Sequence, residues 1–542
     1  MSRFLRTSAI AIACASGWAL PAHAQNADLK AVQQQIAALQ AQMDGMQKQI
    51  TTLQERLGEA NARAASAEAR AVNAEGQAAA ASAALAKAPA ATATAKPATE
   101  ITWDGAPKLA SKDGWSFKPR GRLHFDAGTI STPGALLSTN LGTRTRVRRA
   151  RLGFEGTVPG GFGYKAEADF ANGSVGFGDV LVSYASPKLP LAVRVGNFET
   201  LNSMEQISSS NFNTFIERST FNDAFINARR LGIATAIKSR NDDLRAELGL
   251  FAAHAIDSSL DNNGWIGAAR LVYAPKALGG QLHLGASFQY RDFASNIAGG
   301  TSSGTGMPST NQLARYRARP TSQLTDIRFV DTGSFAASSD HILGIEAAAV
   351  FKGLYFAGEA QWLKAKGYAA GSLASGNDAF SGSNTAVTPT ADPGFFGAYG
   401  EVGYFLTGET RGYKRGDGTW ARTKVLNPVT KGGSGAFQLA LRYDYLDLDD
   451  DRLINGLTNN FTSGTTSLAA VTSRLGRGGT QSSYLLGLNW YPMDYVRFMV
   501  NYGRVEVTGG PLAGQVLPLS TLPVDQRKYG LDVLQTRLQI DF

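Results

Sequence analysis

The sequence predicts an all-β fold, a 16-stranded antiparallel transmembrane β-barrel preceded by an N-terminal α-helical coiled coil. Three observations carry that expectation. Apolar and polar residues alternate over sixteen short segments between residues 115 and 542, the pattern of strands with two unlike faces. The links between those segments are mostly short and long in turn, as in outer-membrane barrels with tight periplasmic turns and extended outer loops. In the last segment Leu534, Leu538, Ile540 and Phe542 share one face against Gln535, Arg537, Gln539 and Asp541 on the other.

The chain opens with Arg3 and Arg6 before an apolar run from Ala9 to Leu20, and Ala22-His23-Ala24 stands before Gln25. This predicts a secretory signal peptide over residues 1–24. Cys14, the single cysteine, lies inside it, so the mature chain would offer no thiol to an oxidising compartment. The formal net charge of +9 falls to +7 when those two arginines leave, +9 − 2 = +7. A secreted chain of that charge is not expected to read nucleic acid, although its charge alone would suit a phosphate backbone.

Residues 25–88 carry the helical segment. Leu29, Val32, Ile36, Leu39, Met43, Met46, Ile50, Leu53 and Leu57 alternate by three and four, an a/d seam that predicts a coiled coil in the periplasm. Its expected role is oligomerisation, and the mixture of Leu, Ile, Met and Val does not specify the number of strands. An Ala-rich helix follows, and Pro89, Pro97 and Pro107 mark a linker over residues 89–114.

The barrel domain spans residues 115–542. Expected strands lie at 115–127, 144–156, 162–170, 178–186, 190–198, 229–238, 243–253 and 264–274. The second half reads 281–292, 340–351, 353–364, 395–407, 435–448, 481–491, 494–506 and 529–542. The stretch 408–434 is irregular, a long link where a short one is due. Alternation alone would also fit a soluble β-sandwich. A last strand closing on Phe542 resembles the assembly signal of outer-membrane barrels, and with the signal peptide it favours the membrane barrel. No apolar run reaches the length of a membrane helix.

The stretch from Thr143 to Gly156 puts Arg144, Arg146, Arg148, Arg149 and Arg151 into one strand. Arginine stays charged at every accessible pH, so this strand must meet water, an anion or acidic partners. A solvated edge would serve, and so would a water-filled barrel lumen, where arginines pass anions and repel cations. Arg148 and Arg149 are adjacent, and strict alternation cannot send both inward without a bulge or a strand boundary. A local irregularity is therefore expected there.

Three separated motifs carry a family resemblance: Arg148-Arg149-Ala150-Arg151-Leu152-Gly153-Phe154-Glu155-Gly156, Leu406-Thr407-Gly408-Glu409-Thr410-Arg411 and Leu486-Gly487-Leu488-Asn489-Trp490-Tyr491-Pro492. They resemble the phosphate-selective porins of Gram-negative outer membranes, types O and P. The resemblance implies a homotrimer of sixteen-stranded barrels in contact with outer-membrane lipid. Each barrel would hold an anion pathway for inorganic phosphate or other anions, lined by arginine and narrowed by inward loops. By the same resemblance Arg148, Arg149 and Arg122 match the constriction, and Asp179 an acidic residue of the throat. Arg315, Arg317 and Arg319 match an external arginine ladder, and Lys364 and Lys366 an external basic funnel, with a solvated strand end as the alternative for the two lysines. The ladder also has a meaning of its own, since a spacing of two in an extended chain points side chains the same way about 6.6 Å apart.

This chain departs from the family pattern at two positions. Gln206 stands where phosphate-specific members have Lys, and Arg151 where an aromatic is usual, an extra charge that would favour bulkier or more highly charged anions. An Asp acceptor beside Arg donors would favour phosphate over chloride, because phosphate carries P–OH donors and chloride has none. For Asp179 a plain salt bridge to an arginine is the alternative.

No cofactor is expected. His124, His254, His283 and His341 show no catalytic spacing, and His283 and Ser287 would lie about 13 Å apart along a strand. No His/Cys cluster suggests a metal, and Arg474-Leu475-Gly476-Arg477-Gly478-Gly479 lacks the Lys-Ser/Thr of a P-loop. The competing reading is a structural tether, with the coiled coil contacting the cell wall and the barrel serving as anchor.

Overall fold

The structure, a computed structural model, describes residues 99–542 except 134–140, 172, 174, 226, 254–255, 257–263, 294–312, 368–388, 454–461, 464–465, 468–477 and 516–521, together with positions 58, 65, 72 and 76. The expected signal peptide and the heptad seam of the coiled coil lie outside the described residues. The chain divides into two compact units, Met1–Lys96 and Pro97–Phe542, and the second contains the barrel.

Sixteen long strands build it: β1 (Ser116–Ile130), β2 (Gly142–Val158), β3 (Phe162–Asp169), β4 (Gly176–Ala185), β5 (Leu191–Glu199), β6 (Arg229–Lys238), β7 (Leu244–Ala252) and β8 (Trp265–Tyr273). They continue as β9 (Gly280–Asp292), β10 (Phe335–Phe351), β11 (Leu354–Gly367), β12 (Gly394–Phe405), β13 (Ala436–Asp447), β14 (Thr480–Met493), β15 (Val496–Thr508) and β16 (Lys528–Asp541). Each pairs antiparallel with its sequence neighbours. The sheet closes where β16 pairs with β1, from Val533 opposite Ile130 to Asp541 opposite Arg122. Closure satisfies every edge, which a lipid environment demands. Gly121 and Phe542 complete it by exchanging two backbone hydrogen bonds of 3.0 Å each.

The faces are reversed relative to a soluble barrel. Leu123, Phe125, Leu152, Ile233, Leu248, Leu284, Ile345 and Leu441 are exposed on the outside, while Arg122, His124, Glu247, Arg270, Glu346 and Arg537 are buried within. Aromatic residues ring the apolar band at both ends. On β11, Phe356 and Trp362 are six residues apart, about 20 Å along a tilted strand, which fits within the ~25 Å band of outer-membrane barrels. No helix among the described residues is long and apolar enough to cross a membrane.

Within the expected linker, Glu100–Asp104 and Ala106–Ala110 pair as a hairpin. It turns at Gly105, whose φ of 76° favours glycine. Asp104 is held by Lys118 at 2.8 Å and by the Tyr495 hydroxyl at 2.9 Å.

Three connections fold inward. Residues 200–228 follow β5 and contain two short helices, α1 (Met204–Ile207) and α2 (Thr220–Ala224). Residues 313–334 precede β10, and Tyr316, Leu324, Phe329 and Val330 pack there with Phe221 and Phe225 of the first loop in one buried apolar cluster. The irregular stretch between β12 and β13 enters from the end with short turns, the periplasmic end by barrel topology. Its Trp420 and Val425 bury against Met204, Tyr355 and Tyr491.

The C-terminal seam gives a test. A Cβ at Gly121 would stand 2.2 Å from the Phe542 ring, so Gly121→Val should cost about 1–3 kcal/mol by overpacking. Heat-dependent mobility on gels should show unfolding at lower temperature than for Gly121→Ser, whose smaller side chain needs less displacement.

Candidate functional site

Strand β2 begins the site. Opposite it on β1, His124 pairs with Arg149 but Phe125 pairs with Val147, so Arg148 is the extra residue of a β-bulge. The expected irregularity is thus present. Arg144 and Arg146 lie opposite Gly128 and Asp126, and Arg149 and Arg151 opposite His124 and Arg122, so these four share the inward face. The bulge turns Arg148 to the same side, where its Nε reaches Glu217 at 3.3 Å.

Glu217 belongs to residues 200–228, which cross the lumen. Leu201 and Ser203, both at φ 62°, bend the chain inward, a conformation that costs a non-glycine residue about 1–2 kcal/mol. The far wall compensates with donors from many strands. Arg497 on β15 donates to the Asn213 carbonyl at 2.7 Å, Asn489 on β14 to that of Thr214 at 2.9 Å, and Arg537 on β16 to that of Ile216 at 2.7 Å. Arg442 on β13 binds Glu205 at 2.6 Å. Asp444 accepts from the Thr220 amide at 3.0 Å, and Glu359 on β11 from the Glu205 amide at 2.8 Å. The loop is fixed from one side of the barrel to the other.

Arg148 lines a cavity of about 110 Å³ with Gln206, Glu217, Arg218, Thr220, Asp223, Arg319, Ser322 and neighbouring polar residues. Three arginines from three segments therefore meet: Arg148 from the bulge, Arg218 from the crossing loop and Arg319 from the second inward loop. Arg218 donates to the carbonyls of Glu205, Gln206 and Ser208 at 3.0, 3.1 and 3.0 Å. Arg319 pairs with Asp223 at 3.0 Å and Asp326 at 2.9 Å. Burial raises the Glu217 carboxyl, but Arg148, Arg537 and Arg149 outweigh it and hold its pKa at about 2.

The other expected residues scatter. Arg122 is buried, bound to Glu167 at 2.9 Å and to the Ser210 hydroxyl at 3.0 Å. Arg149 is buried behind the bulge, with its Nη1 3.4 Å from His124 Nδ1, and no ion-pair partner among the described residues. Arg151 is neutralised by Asp169 at 2.7 Å and Glu167 at 2.8 Å, so the extra charge expected of it is compensated. Asp179 does not meet the arginine doublet; it bonds Lys165 at 2.5 Å and Arg229 at 2.6 Å. The salt-bridge alternative therefore holds for Asp179, with partners that sequence spacing did not indicate.

Arg315, Arg317 and Arg319 do share a side, alternating with buried Tyr316, Ala318 and Pro320. Arg315 is held by Asp331 at 2.7 Å, while Arg317 is exposed. Lys364 and Lys366 correct the funnel reading. On β11 they alternate with buried Leu363 and Ala365 and share the outer face with Trp362, so they point away from the lumen.

Sequence reasoning missed Glu217, Arg218, Asp223 and the crossing loop's wall partners. It also missed a larger periplasmic vestibule of about 930 Å³, lined by Lys238, Lys276, Lys352, Lys414, Arg411 and Arg415 with Asp242 and Asp417. Among the described residues no His, Cys, Asp and Glu group could hold a metal.

A profile of the phosphate-selective porin O and P family matches residues 117–540. An uncharacterized protein of Caulobacter vibrioides is 33% identical over 453 residues, covering 82% of this chain and 77% of that protein. Porin O of Pseudomonas aeruginosa is 25% identical over 443 residues, covering 76% of this chain and 89% of that protein. Among solved structures, the anion-selective porin of Comamonas acidovorans superposes with a TM-score of 0.43 at 12% identity, over 79% of this chain and 100% of that one. The outer membrane channel DcaP of Acinetobacter baumannii gives 0.43 at 13% identity, over 80% and 99%.

Glu217 makes the site's pH response testable. Its folded pKa of about 2 lies below its ordinary 4.5, so its contribution, about 3 kcal/mol, is complete above pH 4.5 and is lost as pH falls toward 2. Melting in detergent between pH 7 and pH 2 should show that loss in wild type. Glu217→Gln should melt lower at pH 7 and respond less steeply below pH 4.5.

Proposed function

The chain belongs to the phosphate-selective porin O and P family and is an outer-membrane porin, and from that premise we propose that it forms an anion-selective diffusion channel with a preference for phosphate or polyphosphate. The observation that carries this reading is the meeting of Arg148, Arg218 and Arg319 around one cavity within the barrel. Three guanidiniums from separate segments offer charge-assisted hydrogen bonds to a tetrahedral oxyanion from several directions. A monatomic anion gains from the charge but has a single acceptor atom, so it reaches fewer of these separated donors at once than four oxygens do.

Glu217 and Asp223 supply the discrimination first sought at Asp179. Both are carboxylates beside the arginines, and phosphate at neutral pH keeps at least one P–OH able to donate to them. Chloride leaves those acceptors unpaired and is repelled. The ladder of Arg315, Arg317 and Arg319 leads in from outside. The exposed Arg317 acts as first contact, and Arg319 passes the ion to Arg148 as both line the same cavity. The homotrimer belongs to the same reading, and the apolar outer face between aromatic belts supports contact with lipid.

Planar bilayers test the reading directly. Purified protein should carry chloride, with phosphate reducing that current by occupying the throat. Arg148→Ala combined with Arg149→Ala should weaken the phosphate block about tenfold or more, the loss of charged hydrogen bonds. Lys364→Ala, on the outer face, should change it less than about twofold. A closed barrel or a cation-selective one would contradict the proposal.

A further inference from the structure

Arg411, the last residue of the Leu406 to Arg411 motif, lies directly behind the crossing loop. Its Nη2 donates to the Phe212 carbonyl at 2.5 Å, and its guanidinium stacks on Tyr355 and Trp420, 4.9 and 4.6 Å from the ring centres. Arg497 donates to the next carbonyl, Asn213, at 2.7 Å and to Gln539 at 2.8 Å. Both side chains are buried, 4% and 2% exposed, and their Nε atoms have no hydrogen-bond partner among the described residues.

Neither makes an ion pair with a carboxylate among the described residues. Glu409, two residues before Arg411, is occupied by the Thr407 hydroxyl and the Leu426 amide. The contrast with neighbouring wall arginines is sharp: Arg442, Arg270 and Arg537 each hold a carboxylate at 2.5 to 2.6 Å. Carbonyl dipoles and aromatic faces offset the burial of a cation only in part, so these two charges are kept at an expense that loop anchoring by a neutral donor would avoid. Screening by water and salt is weak at such depth, and the field of an unpaired charge extends into the adjacent water column.

We propose that Arg411, at the wall of the periplasmic vestibule, and Arg497 are specificity-determining residues that act through their field, giving the periplasmic side of the throat its preference for anions. The inference rests on the channel reading above. Reversal potentials in a potassium chloride gradient test it. Arg411→Gln with Arg497→Gln should lower the chloride-over-potassium permeability ratio at least about threefold, with each single variant giving part of that loss. Arg411→Lys and Arg497→Lys should retain the ratio, because charge survives where the planar fork does not. An unchanged ratio in the Gln variants overturns the inference, as does an equal fall in Lys and Gln variants, which would mark an anchoring role only. If the double variant fails to show the heat-dependent mobility of a folded barrel, the singles decide by the same criteria. A wild-type channel without anion preference would instead overturn the channel reading, and this inference with it.

Discussion

Two adjacent side chains of a regular strand cannot both face inward, and the interior of this barrel depends on an exception to that constraint at Arg148 and Arg149. The bulge opposite His124 and Phe125 adds one residue to β2 and sends neighbouring guanidiniums to different depths. Arg149 is buried against His124, while Arg148 reaches forward to Glu217 of the crossing loop. The loop must cross at the height that makes this contact, and its other anchors run around the wall from Arg537 on β16, beside β1, to Arg442 on β13. Cavity, loop and bulge are thus one arrangement.

Charge inside the barrel is distributed unevenly. Most wall arginines are matched to carboxylates, as in Arg270 with Glu346 at 2.6 Å and Arg122 with Glu167 at 2.9 Å. Such pairs do little for net stability once desolvation is counted, but losing either partner is costly. They give the wall a rigid lattice. Against it the arginines held by carbonyls, Arg411 and Arg497 with Arg218 in the loop, retain their charge. Rigidity comes from the paired groups and potential from the unpaired ones. Apolar packing of Phe221, Phe225, Tyr316 and Phe329 holds the two outer loops together, so the polar cavity is framed by a dry cluster.

All sixteen strands were legible in the sequence because lipid outside and water inside impose unlike faces on every strand. The bulge was legible for the same reason, since two consecutive arginines conflict with that period. Asp179 shows where such reading stops. Its partners Lys165 and Arg229 depend on register across β3, β4 and β6, and register is not written in spacing along one strand. Lys364 and Lys366 fail differently. Leu363 and Ala365 of β11 turn inward under the loop cluster, so both faces are apolar in part and the period does not say which side is wet. The crossing loop and the inserted link between β12 and β13 carry no periodicity, and their contacts are with residues hundreds of positions away, as in Ile216 with Asn501 at 2.7 Å.

The proposed channel binds its anions where the bulge arginine, the crossing loop and the ladder meet. Anomalous diffraction from crystals soaked in arsenate, a tetrahedral counterpart of phosphate that keeps an As–OH donor at neutral pH, would locate such binding directly. The strongest peak should lie inside the barrel, within hydrogen-bonding distance of Arg148 and Arg319, and should be lost in Arg148→Ala crystals. Peaks confined to the outer surface, or an interior peak indifferent to Arg148, would contradict it.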